Sequence, residues 1–256
     1  MIRKILHRIL YRHTVVLMYH RIARPVNDHW QLCVSPGNFE QQLQVISRHK
    51  KNIIITFDDG YIDNYTVAKP LLEKYQLPAT FFIATGNIDS GKEFWWDELE
   101  QLIPGHEQYL EKWNELFPLP YQQQQQSVSP RKEYLCMSST QLKEISANEL
   151  FTIGAHTVHH PALAHQSEAV QKEEIQQSIE WLYQLTGKKP DTLAYPYGNY
   201  NEATINIASG LGLKAAYTTE PRIVTKTSPR YQLGRFQVMD WNGAEFEKQL
   251  EGWLNM

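Results

Sequence analysis

The stretch NIIITFDDGY, residues 52–61, places two adjacent aspartates, Asp58 and Asp59, directly after a run of β-prone apolar residues. Strand geometry sends successive side chains to opposite faces, and like charges repel, so this doublet is costly at the end of a buried strand. A bound cation would offset that repulsion by neutralising one aspartate. The other aspartate would then be free to accept a proton.

A second stretch, TIGAHTVHHPAL at residues 152–163, places His156, His159 and His160 just after another strand-like run. Histidines at i and i+4 lie on one face of a helical turn, and so do histidines at i and i+3. His156 could therefore share a metal ion with either of the other two. A lone histidine is usually structural or exposed, but three so close together at a strand end favour a metal site.

Together the two stretches can supply two histidines and one carboxylate to one metal ion. This three-ligand set is typical of a catalytic metal site that keeps a position open for water or substrate. The pKa of a water bound at such a site falls from ~15.7 to about 7, which makes a hydroxide-like nucleophile available at neutral pH. The combination predicts hydrolysis.

The elements that must position these residues follow from the apolar pattern. Seven runs are predicted to be strands, at residues 14–20, 52–57, 79–85, 151–156, 192–197, 215–219 and 232–239. Most are continuously apolar, as expected of strands buried on both faces. Helical patterns fall between them, at residues 37–49, 63–76, 139–148, 167–186 and 201–211. This alternation predicts a parallel α/β architecture, and the number of strands favours a small or incomplete barrel.

One segment breaks the alternation. Residues 91–137 contain helical patterns but no predicted strand, so we expect an insertion on the rim of the barrel. Its aromatic residues could stack on a sugar, but packing within the insertion is the favoured alternative. These residues are Trp95, Trp96, Trp113 and Tyr121. The glutamine run at 122–126 is predicted to be an exposed loop. Because no domain linker is evident, residues 1–256 are predicted to form a single catalytic domain.

Composition narrows the class of protein. The chain has 42% hydrophobic and 21% charged residues, as ordinary globular proteins do. Its net charge of -3 lacks the basic character of nucleic-acid-binding domains, so no nucleic-acid partner is expected. The two cysteines, Cys33 and Cys136, lie far apart in no CxxC pattern. A disulfide framework and a cysteine-ligated zinc site are therefore not expected.

The N-terminal segment, residues 1–13, is basic, and residues 2–11 could form a short amphipathic helix. A helix packed on the domain is favoured, and peripheral contact with a membrane is the alternative. Charges and histidines interrupt every apolar run, so neither a signal peptide nor a transmembrane helix is predicted. We therefore expect a cytoplasmic protein, with the inner face of the membrane as a further option.

Three motifs occur in order along the chain: TFDDGY at 56–61, HTVHHP at 156–161 and YPYGNYN at 195–201. In order and spacing they resemble the polysaccharide deacetylase (NodB-homology) family of carbohydrate esterases. The resemblance covers the chain from about residue 14 to residue 240. It implies an α/β fold, a deformed (β/α)7-type barrel in a single domain, here with the helical insertion on its rim. It also implies metal-dependent removal of an N-acetyl group, in some members an O-acetyl group, from a sugar.

The resemblance assigns a role to each matching residue. Asp58 corresponds to the family's general base and Asp59 to its metal-binding aspartate. The family's histidine motif (His, Ser or Thr, two variable residues, His) makes His156 and His160 the other ligands and leaves His159 at a variable position. The backbone N–H of Tyr197 corresponds to the donor that stabilises the oxyanion. Such a ligand set suits zinc, while cobalt or nickel could occupy it too.

The chain departs from the family pattern beside the proline-tyrosine motif. Many members carry an arginine there that pairs with the catalytic aspartate, whereas this chain has Ala194 and Tyr195. Arg235, which follows a strand-like approach to the same barrel mouth, is the candidate replacement. An ordinary exposed arginine is an equal alternative. Asp240 could orient Arg235.

A second departure concerns the general acid. Many members take it from a histidine near the C-terminus, but no histidine follows His165 in this chain. His20 ends the strand-like run TVVLMYH and resembles the N-terminal histidine of circularly permuted members, which fills the acid role. We therefore expect His20 to be the acid, in preference to a structural role.

The predicted activity is removal of an N-acetyl group from an N-acetylated amino sugar. The substrate partner is a polysaccharide, an oligosaccharide or a glycan precursor linked to a lipid or a nucleotide. The expected absence of a secretion signal favours the precursor over extracellular polymers. Two alternatives stay open, namely a catalytically impaired carbohydrate-binding protein on the same scaffold and a deformylase or O-deacetylase of a related glycan.

Overall fold

The computed structural model describes residues 13–24, 27–49 and 52–256. Within them, seven strands form a parallel sheet in the order β6-β5-β4-β3-β2-β1-β7. The strands are β1 (Val15–Tyr19), β2 (Ile53–Phe57), β3 (Ala79–Ile83), β4 (Phe151–Ala155), β5 (Thr192–Ala194), β6 (Ala215–Tyr217) and β7 (Phe236–Gln237). Each of the seven predicted strands is present, although most are shorter than predicted.

The segment that contains β7 closes the sheet into a deformed barrel. Leu233 pairs in parallel with Tyr217 of β6, and a few residues later Phe236 pairs with Leu17 of β1. One short stretch of chain therefore contacts both edges of the sheet. The prediction of a deformed (β/α)7-type barrel is confirmed.

The strands form where apolar, often β-branched residues are buried on both faces of the sheet. All five residues of β1 are buried, and Val15, Val16 and Leu17 have no exposed surface. On the outer face of the sheet, which packs against Phe39, Phe57 of β2 stacks on Tyr19 and on Phe81, with ring centroids 5.3 and 5.1 Å apart. Continuous apolar runs are what a doubly covered parallel sheet requires.

Nine helices surround the barrel in the described part of the chain. They are α1 (Pro36–His49), α2 (Lys69–Tyr75, preceded by a π-helical turn at Asn64–Ala68), α3 (Trp95–Leu102), α4 (His106–Leu116), α5 (Tyr121–Gln124), α6 (Ser139–Ala147), α7 (Glu168–Thr186), α8 (Glu202–Gly210) and α9 (Gly243–Leu254). The five predicted helices are all present. Helix α9 was not predicted, although Asn242 and Glu245 form a capping box at its start.

The insertion at residues 91–137 forms α3, α4 and α5 and contains no named strand, as predicted. Trp95 and Trp96 are buried, as core packing requires. The expectation of an exposed glutamine loop is wrong. Part of the run lies in α5, and Gln124 is fully buried because its side-chain amide donates to the carbonyl oxygen of Leu116 at 3.1 Å.

The predicted helix at residues 2–11 lies outside the described residues, so its proposed membrane contact stays a prediction. Among the helices that the structure describes, none has the length and apolar character needed to cross a bilayer. Cys33 and Cys136 are free thiols and both are buried.

Candidate active site

His20 and the polar residues of the aspartate and histidine motifs lie at the carboxyl ends of strands in the sheet. His20 follows β1, the aspartate doublet follows β2, and His156 follows β4. Because the strands are parallel, these ends share one edge of the barrel, where barrel enzymes carry their active sites. A cavity of about 270 Å³ opens there. Its lining includes His20, Asp58, Asp59, His156, His160 and Tyr197.

The turn after β2 holds the doublet in an uncommon backbone conformation. Asp59 has φ 73° and Gly60 has φ 90°, so a residue with a side chain occupies the left-handed region next to a glycine. Non-glycine residues in this region cost free energy and cluster at functional sites. A Cβ atom on Gly60 would also lie 3.2 Å from Cδ1 of Ile83. The glycine is therefore required by the turn itself.

Asp59, His156 and His160 converge on one point. Oδ1 of Asp59 lies 3.4 Å from Nε2 of His156 and 3.3 Å from Nε2 of His160, and the two nitrogens are 3.0 Å apart. A tetrahedral zinc ion with bonds of about 2.0–2.1 Å separates its ligand atoms by roughly 3.3 Å. The three atoms therefore have the spacing of ligands around one small cation.

The protonation of His156 supports a cation at this point. Its Nδ1 lies 2.7 Å from the carbonyl oxygen of Ala194, which can only accept a hydrogen bond, so Nδ1 carries the proton. In the neutral ring, Nε2 then presents a lone pair towards Asp59 and His160. Oδ1 of Asp59 is buried and has no hydrogen-bond donor among the described residues. Buried lone pairs that converge without donors are satisfied by a metal ion, and the carbonyl of Ala194 is the orienting partner that metal-binding histidines commonly have.

The charge state of Asp59 fits the same arrangement. Burial by itself raises the pKa of this carboxyl, but positive charge on the facing side, which His156 and His160 supply when protonated, outweighs burial and lowers the pKa well below its usual range. The residue is therefore an anion, as metal binding requires.

The loop between the candidate ligands His156 and His160 is held by a residue that the sequence analysis did not identify. Oε2 of Glu174, on α7, accepts hydrogen bonds from the backbone N–H groups of Val158 at 3.0 Å and His159 at 2.8 Å. Oε1 of Glu174 lies 2.7 Å from Nδ1 of His159. Thr157 and His160 both have left-handed φ values, 65° and 58°, so this carboxylate supports a strained loop.

Asp58 pairs with Arg235. The two guanidinium nitrogens Nη1 and Nη2 donate to Oδ1 and Oδ2 of Asp58 at 2.6 and 2.7 Å. Arg235 is fully buried rather than exposed, and its Nε donates to the carbonyl oxygen of Thr218 at 3.0 Å. Burial by itself raises the pKa of Asp58, but Arg235, aided by His156, outweighs burial and lowers it. Asp58 is thus held ionised in a fixed orientation.

The expected contact between Asp240 and Arg235 is wrong. Asp240 instead accepts hydrogen bonds from the backbone N–H and the hydroxyl of Ser35, at 2.8 and 2.7 Å, just before helix α1. Asp240 therefore anchors the start of α1 to the C-terminal part of the chain instead of orienting Arg235.

His20 and His156 both line the cavity and both approach Asp58. Nε2 of His20 is 4.0 Å from Oδ2 of Asp58, the same distance as Nε2 of His156 from that oxygen. The His20 side chain is 13% exposed, so it can reach a bound molecule in the cavity. Burial lowers the pKa of His20, and the carboxylates of Asp58 and Asp59 oppose this shift.

Tyr197 and His159 occupy different positions around the site. Tyr197 is the central residue of the Pro196–Gly198 turn, has φ 57°, and lines the cavity with its ring 4.4 Å from that of His160. His159 points away towards Glu174 and stacks on Tyr121 at 4.3 Å. The structure therefore places Tyr197 beside the candidate metal ligands. His159 points away from them and is not one of the three converging residues.

The rim insertion also contributes to the cavity. Trp96 and Trp113 line it, and the Trp96 ring packs against His160 at 4.8 Å. Trp30, from the loop after β1, lies beside Trp113 in the lining, with ring centroids 4.8 Å apart. The sequence did not single it out, because no motif contains it.

The fold and the site define a member of the polysaccharide deacetylase family. Residues 46–216 match the family described as polysaccharide deacetylase, which is more than half of the chain. The chain belongs to this family, as its three motifs predict.

The chain is also similar to curated relatives and to a solved structure that are named deacetylases. The Bacillus subtilis (strain 168) protein YxkH, which carries the polysaccharide deacetylase name, is 27% identical over 203 residues, 79% of this chain and 57% of that protein's length. The Staphylococcus aureus poly-beta-1,6-N-acetyl-D-glucosamine N-deacetylase is 25% identical, over 86% of this chain and 71% of its own. The Streptococcus pyogenes deacetylase PplD, solved in complex with acetate, is 25% identical with a TM-score of 0.70, over 93% of this chain and 97% of its own.

Proposed function

We propose that this chain is a single catalytic domain that removes the N-acetyl group from an N-acetylated amino sugar in a metal-dependent hydrolysis. The observation that carries the proposal is the pair of adjacent carboxylates with separate partners. Asp59 converges with two histidines, while Asp58, 2% exposed, is held by Arg235. A domain that only bound glycans would need neither arrangement.

The residues around Asp59 fit a divalent metal ion, and Asp59, His156 and His160 would hold it. Such an ion supplies Lewis acidity towards an acyl oxygen and lowers the pKa of a water. The mixed nitrogen and oxygen donor set favours zinc, and cobalt or nickel accept the same ligands.

Asp58 acts as the general base in this proposal. Its pKa is lowered mainly by Arg235, against the effect of burial, so the carboxylate is ready to take a proton from the attacking water at neutral pH. The bidentate contact with Arg235 also fixes the direction of the carboxylate. Orientation and ionisation of the base therefore both depend on Arg235.

His20 acts as the general acid. It borders the same cavity as Asp58, with Nε2 4.0 Å from Oδ2 of that residue, where the protonated ring can donate to the departing amine nitrogen. Amines are poor leaving groups unless they are protonated, so this proton is required for turnover. The backbone N–H of Tyr197 would stabilise negative charge on the acyl oxygen.

The substrate class follows the relatives. The Staphylococcus aureus relative is named for poly-beta-1,6-N-acetyl-D-glucosamine. We therefore propose a glycan that contains N-acetylglucosamine as the substrate of this chain, with lipid-linked and nucleotide-linked N-acetylhexosamines as the other members of the class.

The test is acetate release from polymeric, lipid-linked and nucleotide-linked N-acetylhexosamines by protein stripped of metal and then loaded with zinc, cobalt or nickel. Acetate release that requires metal and is lost in Asp58→Asn supports the proposal. Formate release from a formylated glycan without acetate release would identify a deformylase instead. Glycan binding without any release would identify a carbohydrate-binding protein.

A further inference from the structure

Trp30 lies in an uncommon position for a large apolar side chain. It is 39% exposed. Of the large hydrophobic side chains that are exposed among the described residues, Trp30 is the one that lines the active-site cavity. Exposed apolar surface beside a catalytic site is typical of a place where a ligand is bound. Trp30 lies outside the three motifs. It belongs to the loop after β1, residues 27–33.

The loop around Trp30 is anchored to the barrel. Nε2 of Gln237, in β7, donates to the carbonyl oxygens of Trp30 at 3.1 Å and Gln31 at 3.0 Å. Asp28 closes the loop on itself, because its carboxylate accepts the backbone N–H groups of Leu32 at 2.8 Å and Cys33 at 2.9 Å. The backbone that carries Trp30 is therefore fixed without any help from the indole ring.

The indole ring is anchored to the insertion. Its Nε1 donates to the hydroxyl of Tyr109 at 3.2 Å, and the ring lies 4.8 Å from that of Trp113 on the same helix, α4. The neighbouring His29 stacks on Tyr109 at 4.1 Å. The loop and the insertion thus form one wall of the cavity, in which Trp30 and Trp113 are neighbouring aromatic members.

The part of this wall that lines the cavity, Trp30, Leu32, Trp96 and Trp113, is apolar. Thr219 and Gln237 lie in the cavity lining with these residues, and no lysine or arginine of the described residues belongs to that lining. A phosphate or pyrophosphate group would need cationic donors, whereas the apolar face of an uncharged sugar ring packs on an aromatic surface.

We infer that the wall formed by Trp30 and Trp113 is a binding subsite for a neutral sugar ring, with Trp30 as its main contact. This inference rests on the proposed function, since it assigns the sugar of the acetylated substrate to a specific surface. A ring held there shares the cavity with Asp58 and His20. Because the indole is already held in place, little conformational entropy is lost when the sugar binds.

The test measures equilibrium binding of a β-1,6-linked N-acetylglucosamine oligomer by calorimetry in an Asp58→Asn background, which removes turnover. Trp30→Ala is expected to weaken binding by about tenfold, the typical cost of truncating a tryptophan at a binding surface. Trp30→Phe is expected to retain at least about threefold tighter binding than Trp30→Leu, because only phenylalanine keeps an aromatic face. Tyr183→Ala is the matched control, since Tyr183 is 53% exposed on α7 and is not part of the cavity lining.

In the Asp58-containing protein, Trp30→Ala is expected to raise KM with kcat changed less than about twofold, as expected for loss of uniform binding. Urea unfolding of each variant checks that the loop substitution leaves the fold intact. Oligomer binding that depends on Trp30, without acetate release by the wild type, would reject the proposed function and retain the subsite.

Three results would overturn the inference: no oligomer binding, equal binding by Trp30→Ala and the parent, or equal binding by Trp30→Phe and Trp30→Leu. Tighter binding of a nucleotide-linked N-acetylglucosamine than of the neutral oligomer would also overturn it.

Discussion

Glu174 provides the sharpest test of how the metal-binding residues are positioned. Its carboxylate accepts hydrogen bonds from the backbone N–H groups of Val158 and His159, which lie between the proposed ligands His156 and His160. Replacing Glu174 with alanine leaves both donors without their partner and releases a loop with two left-handed residues. We expect this substitution to lower both the stability of the fold and the affinity for metal.

The size of both effects can be estimated. A hydrogen bond to a charged group contributes about 1.5–3 kcal/mol, and the lower value applies because the Glu174 side chain is 12% exposed and water can partly replace it. Two backbone bonds then correspond to a loss of about 3 kcal/mol in the free energy of unfolding. Loss of a residue that orients metal ligands typically weakens metal binding by about 10- to 100-fold.

Urea unfolding of the metal-free protein and chelator competition for zinc measure the two effects separately. Glu173→Ala is the matched control, because Glu173 precedes Glu174 on α7 and its exposed side chain bonds only to Gln177, at 2.9 Å. Glu174→Gln should lie between wild type and Glu174→Ala, since an amide oxygen still accepts but carries no charge. Unchanged stability in Glu174→Ala would refute the hydrogen bonds, and lost stability with unchanged zinc affinity would refute the positioning role.

Three further predictions concern Arg235, His20 and Asp97. Arg235→Met should destabilise the fold by about 3–5 kcal/mol, because it leaves Asp58 as an unpaired buried charge. The double variant with Asp58→Asn should be destabilised less in urea unfolding, and a strictly additive loss would contradict the coupling. His20→Ala should lower the rate of acetate release by about 10²–10⁴ with zinc content unchanged; near-normal turnover would mean that another group is the acid. Burial raises the pKa of Asp97 to about 8, against the effects of Arg21 and of the hydrogen bond from Tyr61. Because this pKa lies above the unfolded value, Asp97 makes the fold less stable as the pH rises from about 4 to about 8. Asp97→Asn should remove that slope from the pH dependence of unfolding, and parallel slopes for the two proteins would show that the carboxyl is already ionised.

Much of the reactive centre is local in sequence. Asp58 and Asp59 are neighbours, and His156 and His160 are four residues apart, so a single turn of chain decides which side chains emerge together. Strand ends are also encoded locally, because continuous apolar runs specify buried strands. Candidate ligands and the barrel class could therefore be predicted before any tertiary contact was known.

Other features depend on contacts that neighbouring residues do not encode. The glutamine run was predicted to be exposed from composition, yet Gln124 is buried because backbone carbonyls near the end of α4 accept its amide. Similarly, the capping residues of α9 were present in the sequence, but the helix is stabilised by burial of Phe246 and Leu250 against the domain.

The sequence by itself determined the chemistry that is available, an Asp-His-His cluster with a second carboxylate, since those residues lie in two short segments. Only the tertiary structure decided what surrounds that chemistry. Arg235 reaches Asp58 across 177 residues because the segment containing β7 closes the barrel, and Glu174 and Trp30 approach the site from a helix and a loop outside the motifs. Parallel strands bring distant residues to one edge of the sheet, and the choice of partners there is set by packing rather than by spacing along the chain.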